Sequence, residues 1–301
     1  MMKSHKHFRD PAVRDLAWAI GSAPLLYDPE KKSGLNIIDY QWIDERYYRH
    51  LDWLEELDSA PTRLHQFLDN EHIELVGKRF ESLIKFWLSD HPDFELLCAN
   101  IQFFEDKKTV GEIDFIVRDT WTDEIFQLEI ACKYYFAHSA SADWNEWWGP
   151  NHQDKLALKM QKFHAQTALL KSKQGKEVIK TLGYKNIPSA ILLKGYLFFP
   201  FNQLGTYPSP HLAYKKHASG WFVKRENLGP FQSPTSQWVV LPKQYWLAPY
   251  HSENNTLPII NGEELFLQAN ASNSERAILV AQVLQDENGF FYELNRGLIT
   301  R

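Results

Sequence analysis

Cysteine and methionine are scarce in this 301-residue chain, which has two of the first and three of the second. Cys98 and Cys132 each sit inside an apolar, strand-like run. Two such thiols cannot build a disulfide framework or anchor zinc without further ligands, and they read as buried side chains. Long apolar runs are missing as well. Nothing approaches the roughly 18 uninterrupted apolar residues of a membrane span, and the opening MMKSHKHFRD carries no apolar leader core, so the expectation is a cytoplasmic protein with no membrane partner. Nor is there a surplus of positive charge: 33 Lys and Arg face 38 Asp and Glu, a net charge of −5. That balance argues against a protein that coats nucleic acid electrostatically. No Gly-rich phosphate loop, nucleophile elbow or zinc motif occurs, which sets aside P-loop and serine-hydrolase chemistry. Of the 12 histidines, His138, His152 and His164 lack a ligand spacing and read as incidental.

The remaining composition, 44% hydrophobic and 24% charged, is that of an ordinary folded protein. Charge is uneven along the chain. Eight lysines (155, 159, 162, 171, 173, 176, 180 and 185) fall between Lys155 and Lys185 against one acid, Glu177, marking either a phosphate-facing edge or a solvated lysine-rich helix.

Asp10-Pro11 reads as an N-cap followed by Pro at the first helical position, and Val13, Leu16, Ala17 and Ile20 recur at helical spacing up to Gly21. Residues from Trp42 to Leu68 are helix-like and broken by Pro61. From Ile73 to Leu88 the apolar positions follow a 3.6-residue period, predicting one amphipathic helix that carries Glu81. Strands are predicted at Phe94 to Phe104, Glu112 to Arg118 and Ile125 to Phe136, separated by charged turns. A tryptophan-rich loop (Trp144, Trp147, Trp148) leads to a helix in which Leu156, Met160, Phe163, Thr167 and Leu170 share a face, and Ser189 to Phe199 forms another strand. These tryptophans read as packing against the sheet edge, with stacking on unpaired bases as the other possibility.

Beyond Pro200, prolines punctuate short aromatic segments, and Ala277 to Gln285, the turn Asp286-Glu287-Asn288-Gly289 and Phe290 to Thr300 read as a β-hairpin. The expected fold is α/β: an α-β-β-β-α-β sandwich with a mixed central sheet. Its expected divisions are a helical preface over residues 1–70, a core over 71–205 and a β-rich extension packed on the core over 206–301.

Side chains alternate along a strand, so Glu112 and Asp114 share one face, and on the next strand Gln127, Glu129, Ala131 and Lys133 share another. If the strands pair with their apolar sets in the core, Asp114, Glu129 and Lys133 meet in one cleft. Carboxylates amid apolar strands are costly to bury uncompensated, and a divalent cation compensates them. Mg²⁺ there bridges a scissile phosphate and acidifies a bound water, while a lysine orients the water and offsets charge on the phosphate. For any one of these residues, an ordinary ion pair or half-exposed polar position is the plainer reading. The case rests on the set.

Gly111-Glu112-Ile113-Asp114 followed by Leu128-Glu129-Ile130-Ala131-Cys132-Lys133 resembles the PD-(D/E)XK nuclease signature. Val13-Arg14-Asp15-Leu16-Ala17-Trp18, the Glu129 to Lys133 segment and Gly149-Pro150 with the helix after it resemble a bacterial family, domain of unknown function 1853. The resemblance implies a restriction-endonuclease-like fold, with Asp114 and Glu129 as Mg²⁺ (or Mn²⁺) ligands, Glu81 as the acid on the preceding helix and Lys133 as the catalytic lysine. The superfamily places that lysine two residues after the acid, where this chain has Ala131. Lys133 is displaced by about 7 Å at ~3.3 Å per residue. Either its stem reaches back, or Lys155 or Lys159 from the next helix serves instead. Lys155, Lys159, Lys162 and Gln166 are the candidate substrate-binding residues. The expected function is a nuclease acting on DNA, less readily on RNA. The alternative is an inactive nuclease-like fold that binds nucleic acid or a protein, and a third reading gives the role to the C-terminal part.

Overall fold

The computed structural model describes residues 7–71, 73, 75–203, 205–254, 256–271 and 277–301. Met1 to Lys6, most of the stretch inspected for a leader, and Glu74, inside the helix expected from Ile73, lie outside them.

The Asp10-Pro11 start is realised as read. Helix α1 (Pro11–Gly21) begins where the Asp10 carboxylate accepts the amides of Ala12 and Val13, and its Val13, Leu16 and Ile20 are buried. Capping of this kind is worth about 1 kcal/mol, and each large apolar side chain buried adds roughly 1.5–3 kcal/mol. The segment broken by Pro61 forms three helices, α2 (Tyr40–Arg49), α3 (Leu51–Ser59) and α4 (Thr62–Asp69). Helix α5 (Val76–Asp90) starts three residues later than the periodicity suggests, and buries Phe80, Leu83, Ile84 and Trp87.

Three antiparallel strands follow, β1 (Phe94–Glu105), β2 (Lys108–Asp119) and β3 (Glu124–Ala137). The tryptophan loop contributes β4 (Trp147–Trp148), which pairs with the end of β3, then come α6 (Leu156–Ala168), α7 (Lys173–Thr181) and β5 (Ser189–Pro200), which runs parallel to β3. The order helix, three strands, helix, strand is therefore present, with β4 and α7 inserted.

The remaining elements are β6 (Ser219–Lys224), β7 (Gln237–Val240), β8 (Ile260–Asn261), α8 (Gly262–Ala271) and the hairpin of β9 (Ile278–Gln285) and β10 (Phe291–Thr300). All these strands continue the core sheet. The fold is mixed α/β, with eight α-helices among the described residues and a ten-stranded, mostly antiparallel sheet in the order β1-β2-β3-β5-β6-β10-β9-β7-β8, β4 pairing with β3. Parallel pairing is confined to the middle, β3-β5-β6-β10.

Both faces of this middle are covered, as parallel strands require. Leu128, Ile130, Cys132 and Tyr134 of β3 pack with α1 and α5 on one face, while Ala131 and Tyr135 pack with Leu156, Met160 and Phe163 of α6 on the other. The Glu129 face, expected to border an open cleft, is thus a second core. No helix among the described residues is long and apolar enough to cross a membrane.

Candidate metal centre

The ladder between β2 and β3 stops at Phe115 opposite Leu128. One residue further on, the strands exchange side-chain bonds: the Ile130 amide donates to Asp114 Oδ2 at 2.9 Å, and the Asp114 amide approaches Glu129 Oε1 at 3.4 Å. The strands splay here because each carboxylate occupies an amide that would otherwise extend the ladder.

One oxygen of each carboxylate is thereby fixed. Glu129 Oε1 also accepts from Gln127 Nε2 at 2.8 Å, whereas the buried Oε2 has no partner among the described residues. Asp114 Oδ1 meets no donor among the described residues. Gln127 is fully buried, and its amide also donates to the Gln166 carbonyl at 3.1 Å while accepting from Ser189 Oγ. Gln166, on α6, donates to the Glu112 carbonyl at 3.1 Å, and its buried Oε1 has no donor among the described residues. Two orphaned buried acceptors in one glutamate–glutamine network each carry a desolvation cost of roughly 1–3 kcal/mol. A cation is the group whose charge and coordination offset that cost for carboxylate oxygens.

The electrostatics agree with this. Burial first, and then the neighbouring Asp114 charge, push the Glu129 carboxyl up to about 8. Burial likewise raises Asp114, with Glu81 and Glu112 adding to the shift and the Ile130 bond and Lys159 opposing it. Two carboxyls that cannot both ionise alone can do so around a divalent ion. Lys159, only 8% exposed, is the basic side chain that acts on both, and burial lowers its ammonium to about 8. Its Nζ lies 3.8 Å from the Phe163 ring centroid, a cation–π contact that helps hold it in the interior.

The other expected residues are dispersed. Lys133 does not turn back towards Glu129: its Nζ donates to Asp154 Oδ2 at 2.6 Å. Glu81 is part-buried on α5, its Oε1 taken by Lys78 Nζ at 2.8 Å and Asn100 Nδ2 at 3.1 Å. It influences Asp114 electrostatically, yet it does not join Asp114 and Glu129 in a closed triad. Among the described residues, the groups of three with ligand atoms within 4.8 Å of one another are His7, His251, Glu253 and His50, His91, Asp93. Both are internally bonded. His50 Nδ1 accepts from Trp87, and His91 and His251 Nδ1 accept backbone amides, so these nitrogens are engaged.

Lys155 is spent on the Trp148 ring, 4.6 Å from its centroid, while His138 stacks against Trp148 at 3.8 Å and 8°. Trp147 is fully buried. Lys162, Lys171, Lys173, Lys176, Lys180 and Lys185 are exposed and form no ion pair among the described residues, so basic side chains without acidic partners stand on and next to α6 and α7. Sequence reasoning missed the role of Gln127, although its place two residues before Glu129 on the same strand face was a usable signal.

Asp114 and Glu129 are thus joined in one buried network, with Glu81 within electrostatic range, Lys159 as the neighbouring basic side chain and Gln127 and Gln166 as their supports. Comparison with curated proteins and with solved structures brings no match. A family model described as a domain of unknown function, DUF1853, matches residues 14–300, and the chain belongs to that family.

Proposed function

We propose that this protein is a divalent-metal-dependent nuclease of the PD-(D/E)XK type, with a restriction-endonuclease-like core, hydrolysing phosphodiester bonds in DNA and less readily in RNA. The observation that carries the reading is the pair of carboxylates at the split between β2 and β3. Each has one oxygen bonded to the protein and one without a donor among the described residues. The element order from α5 to β5 and the unpaired lysines of α6 and α7 support it.

Asp114 Oδ1 and Glu129 Oε2 would hold Mg²⁺ or Mn²⁺, with Glu81 completing the acidic set once released from Lys78. Such an ion supplies a Lewis acid for the phosphate and a water acidic enough to attack it. Gln127 fixes the rotation of the Glu129 carboxylate, so the ligand oxygen is positioned before substrate arrives. Lys159 takes the part the sequence pattern gave to Lys133. Its ammonium, poised to give up a proton at about pH 8, orients the attacking water and offsets charge on the phosphate. Lysines of α6 and α7 hold the polyanion by its backbone, which makes binding salt-dependent.

The test is cleavage of plasmid and of single-stranded DNA with Mg²⁺ or Mn²⁺, comparing wild type with Glu129→Gln and Asp114→Asn, alongside calorimetric titration of Mn²⁺. Cation binding and cleavage both lost in the variants support the reading. Cleavage that survives either substitution, or no cation binding by wild type, refutes it. DNA retention without cleavage, unchanged by Asp114→Asn, would point to the binding module instead, a reading favoured by the absence of a preassembled carboxylate triad among the described residues.

A further inference from the structure

A cleft of about 540 Å³ lies away from the carboxylate pair, between the starts of α1 and α5, the end of α4 and residues 243–250. Its volume is that of a small-molecule site. Apolar walls come from Leu68, Ile73, Val76 and Pro249, and the charged lining comprises the acids Asp15 and Asp69 and the basic residues Arg14, His65, Arg79 and Lys243.

These charges are arranged in a definite way. Asp15 is 6% exposed, accepts the Ala248 amide at 3.1 Å through Oδ1, and accepts Arg79 Nε at 2.7 Å through Oδ2. A single bond to Nε pins the guanidinium from behind and leaves its outer fork, Nη1 and Nη2, without an acceptor among the described residues. The Arg79 side chain is 18% exposed, so the fork is neither sealed in the core nor loose in solvent. Lys243 stands exposed at the rim with no ion pair among the described residues. The other basic groups of the lining are committed elsewhere: Arg14 donates to the carbonyls of Phe8, Arg9, His251 and Glu253, and His65 pairs with Asp10. A fixed guanidinium fork matches the two coplanar oxygens of a carboxylate or phosphate, and the walls beside it match an apolar body.

We infer that this cleft binds a small organic anion, its carboxylate or phosphate head on the outer nitrogens of Arg79 with Lys243 alongside, and its apolar part against Leu68, Ile73 and Val76. The inference does not draw on the metal reading. Asp15 acts as the positioning residue for Arg79.

Phenyl phosphate and benzoate serve as probes, with benzamidine as a cationic control of similar shape, followed by amide chemical shifts in the full chain. One or both anions bind and shift residues of α1, α5 and 243–250, while benzamidine does not; which anion binds tighter identifies the head group. Arg79→Gln weakens binding by about tenfold or more, the scale of a lost charge-assisted bidentate pair. Because that variant leaves Asp15 buried without its partner, two others keep the test decisive. Lys243→Gln changes only an exposed rim charge and weakens binding by about threefold, and Val76→Trp fills the cleft and abolishes binding with every charge in place. No shifts with either anion, equal binding of benzamidine, or affinity unchanged in both Lys243→Gln and Val76→Trp overturns the inference.

Discussion

Lys133 Nζ and Asp154 Oδ2 lie 2.6 Å apart, a bond that ties β3 to the turn ahead of α6. The lysine nearest Glu129 in the strand pattern is therefore a structural tie, and Lys159 from α6 is the lysine whose charge acts on both carboxylates. Lys133→Gln is expected to keep single-turnover DNA cleavage within about threefold of wild type, since a partly exposed ion pair is worth about 1 kcal/mol or less. Lys159→Met should lose roughly 10²–10³-fold, the scale of removing a charge-stabilising donor. Far-ultraviolet dichroism checks that both variants fold. The opposite ranking would return the role to Lys133.

Cation affinity should rise with pH. The Glu129 carboxyl titrates at about 8 in the fold and must lose its proton to become a ligand. Below that pH, Mn²⁺ affinity measured by calorimetry should increase by up to about tenfold per pH unit, with one proton released per ion. The metal-free protein behaves oppositely. Between the ordinary carboxyl value and about 8, the folded chain keeps a proton that the unfolded chain gives up, so this group's stabilisation is greatest at the acidic end and is lost as pH rises through the window. Glu129→Gln should flatten that part of the denaturation profile. A pH-independent affinity would remove Glu129 from the ligand set.

Gly195→Ala should be severely destabilising. Gly195, on β5 opposite Lys133, has φ +130°, and a Cβ there would come within 1.7 Å of the Lys133 carbonyl oxygen. A backbone that L side chains rarely adopt, plus a collision with a neighbouring strand, should cost at least roughly 3 kcal/mol. Urea denaturation reads this directly. An unchanged midpoint would mean the two strands are further apart than described.

Asp119→Ala tests the joint between the helical layer and the sheet. Asp119 pairs with the buried Arg46 of α2 and accepts the amides of Trp121 and Thr122, and the Arg46 guanidinium lies 3.9 Å from the Trp42 ring centroid. Removing the carboxylate strands a buried cation at a cost of about 3–5 kcal/mol. The thermal midpoint should fall well below that of Glu124→Ala, an exposed acid five residues on.

Local chemistry made part of this fold readable. Asp10-Pro11 ahead of apolar residues at helical spacing reads as a helix start, the 277–300 region alternates around an Asn-Gly turn, and β2 and β3 carry their acids on fixed faces. The candidate site was legible to the extent that strand parity governs it, which covers Asp114 and Glu129. Parity could not reveal that the Glu129 face would be roofed by α6, because that depends on contacts between residues some thirty positions apart. Lys159 could be offered only as a substitute, since its turn towards the carboxylates is set by helix rotation. β7 and β8, at four and two residues, are too short to show a period. The parallel seating of β10 beside β6 joins segments with no local signal between them.

That seating governs the order in which the molecule can assemble. Phe291–Thr300 lies between β6 on one side and β9 on the other, so it is the bridge joining the strands that precede β7 to the later ones. During synthesis the central seam stays open until this segment emerges, with the edge of Ser219–Lys224 exposed meanwhile. A chaperone, or a premature stop upstream of Phe291, would meet the protein as two half-sheets rather than one.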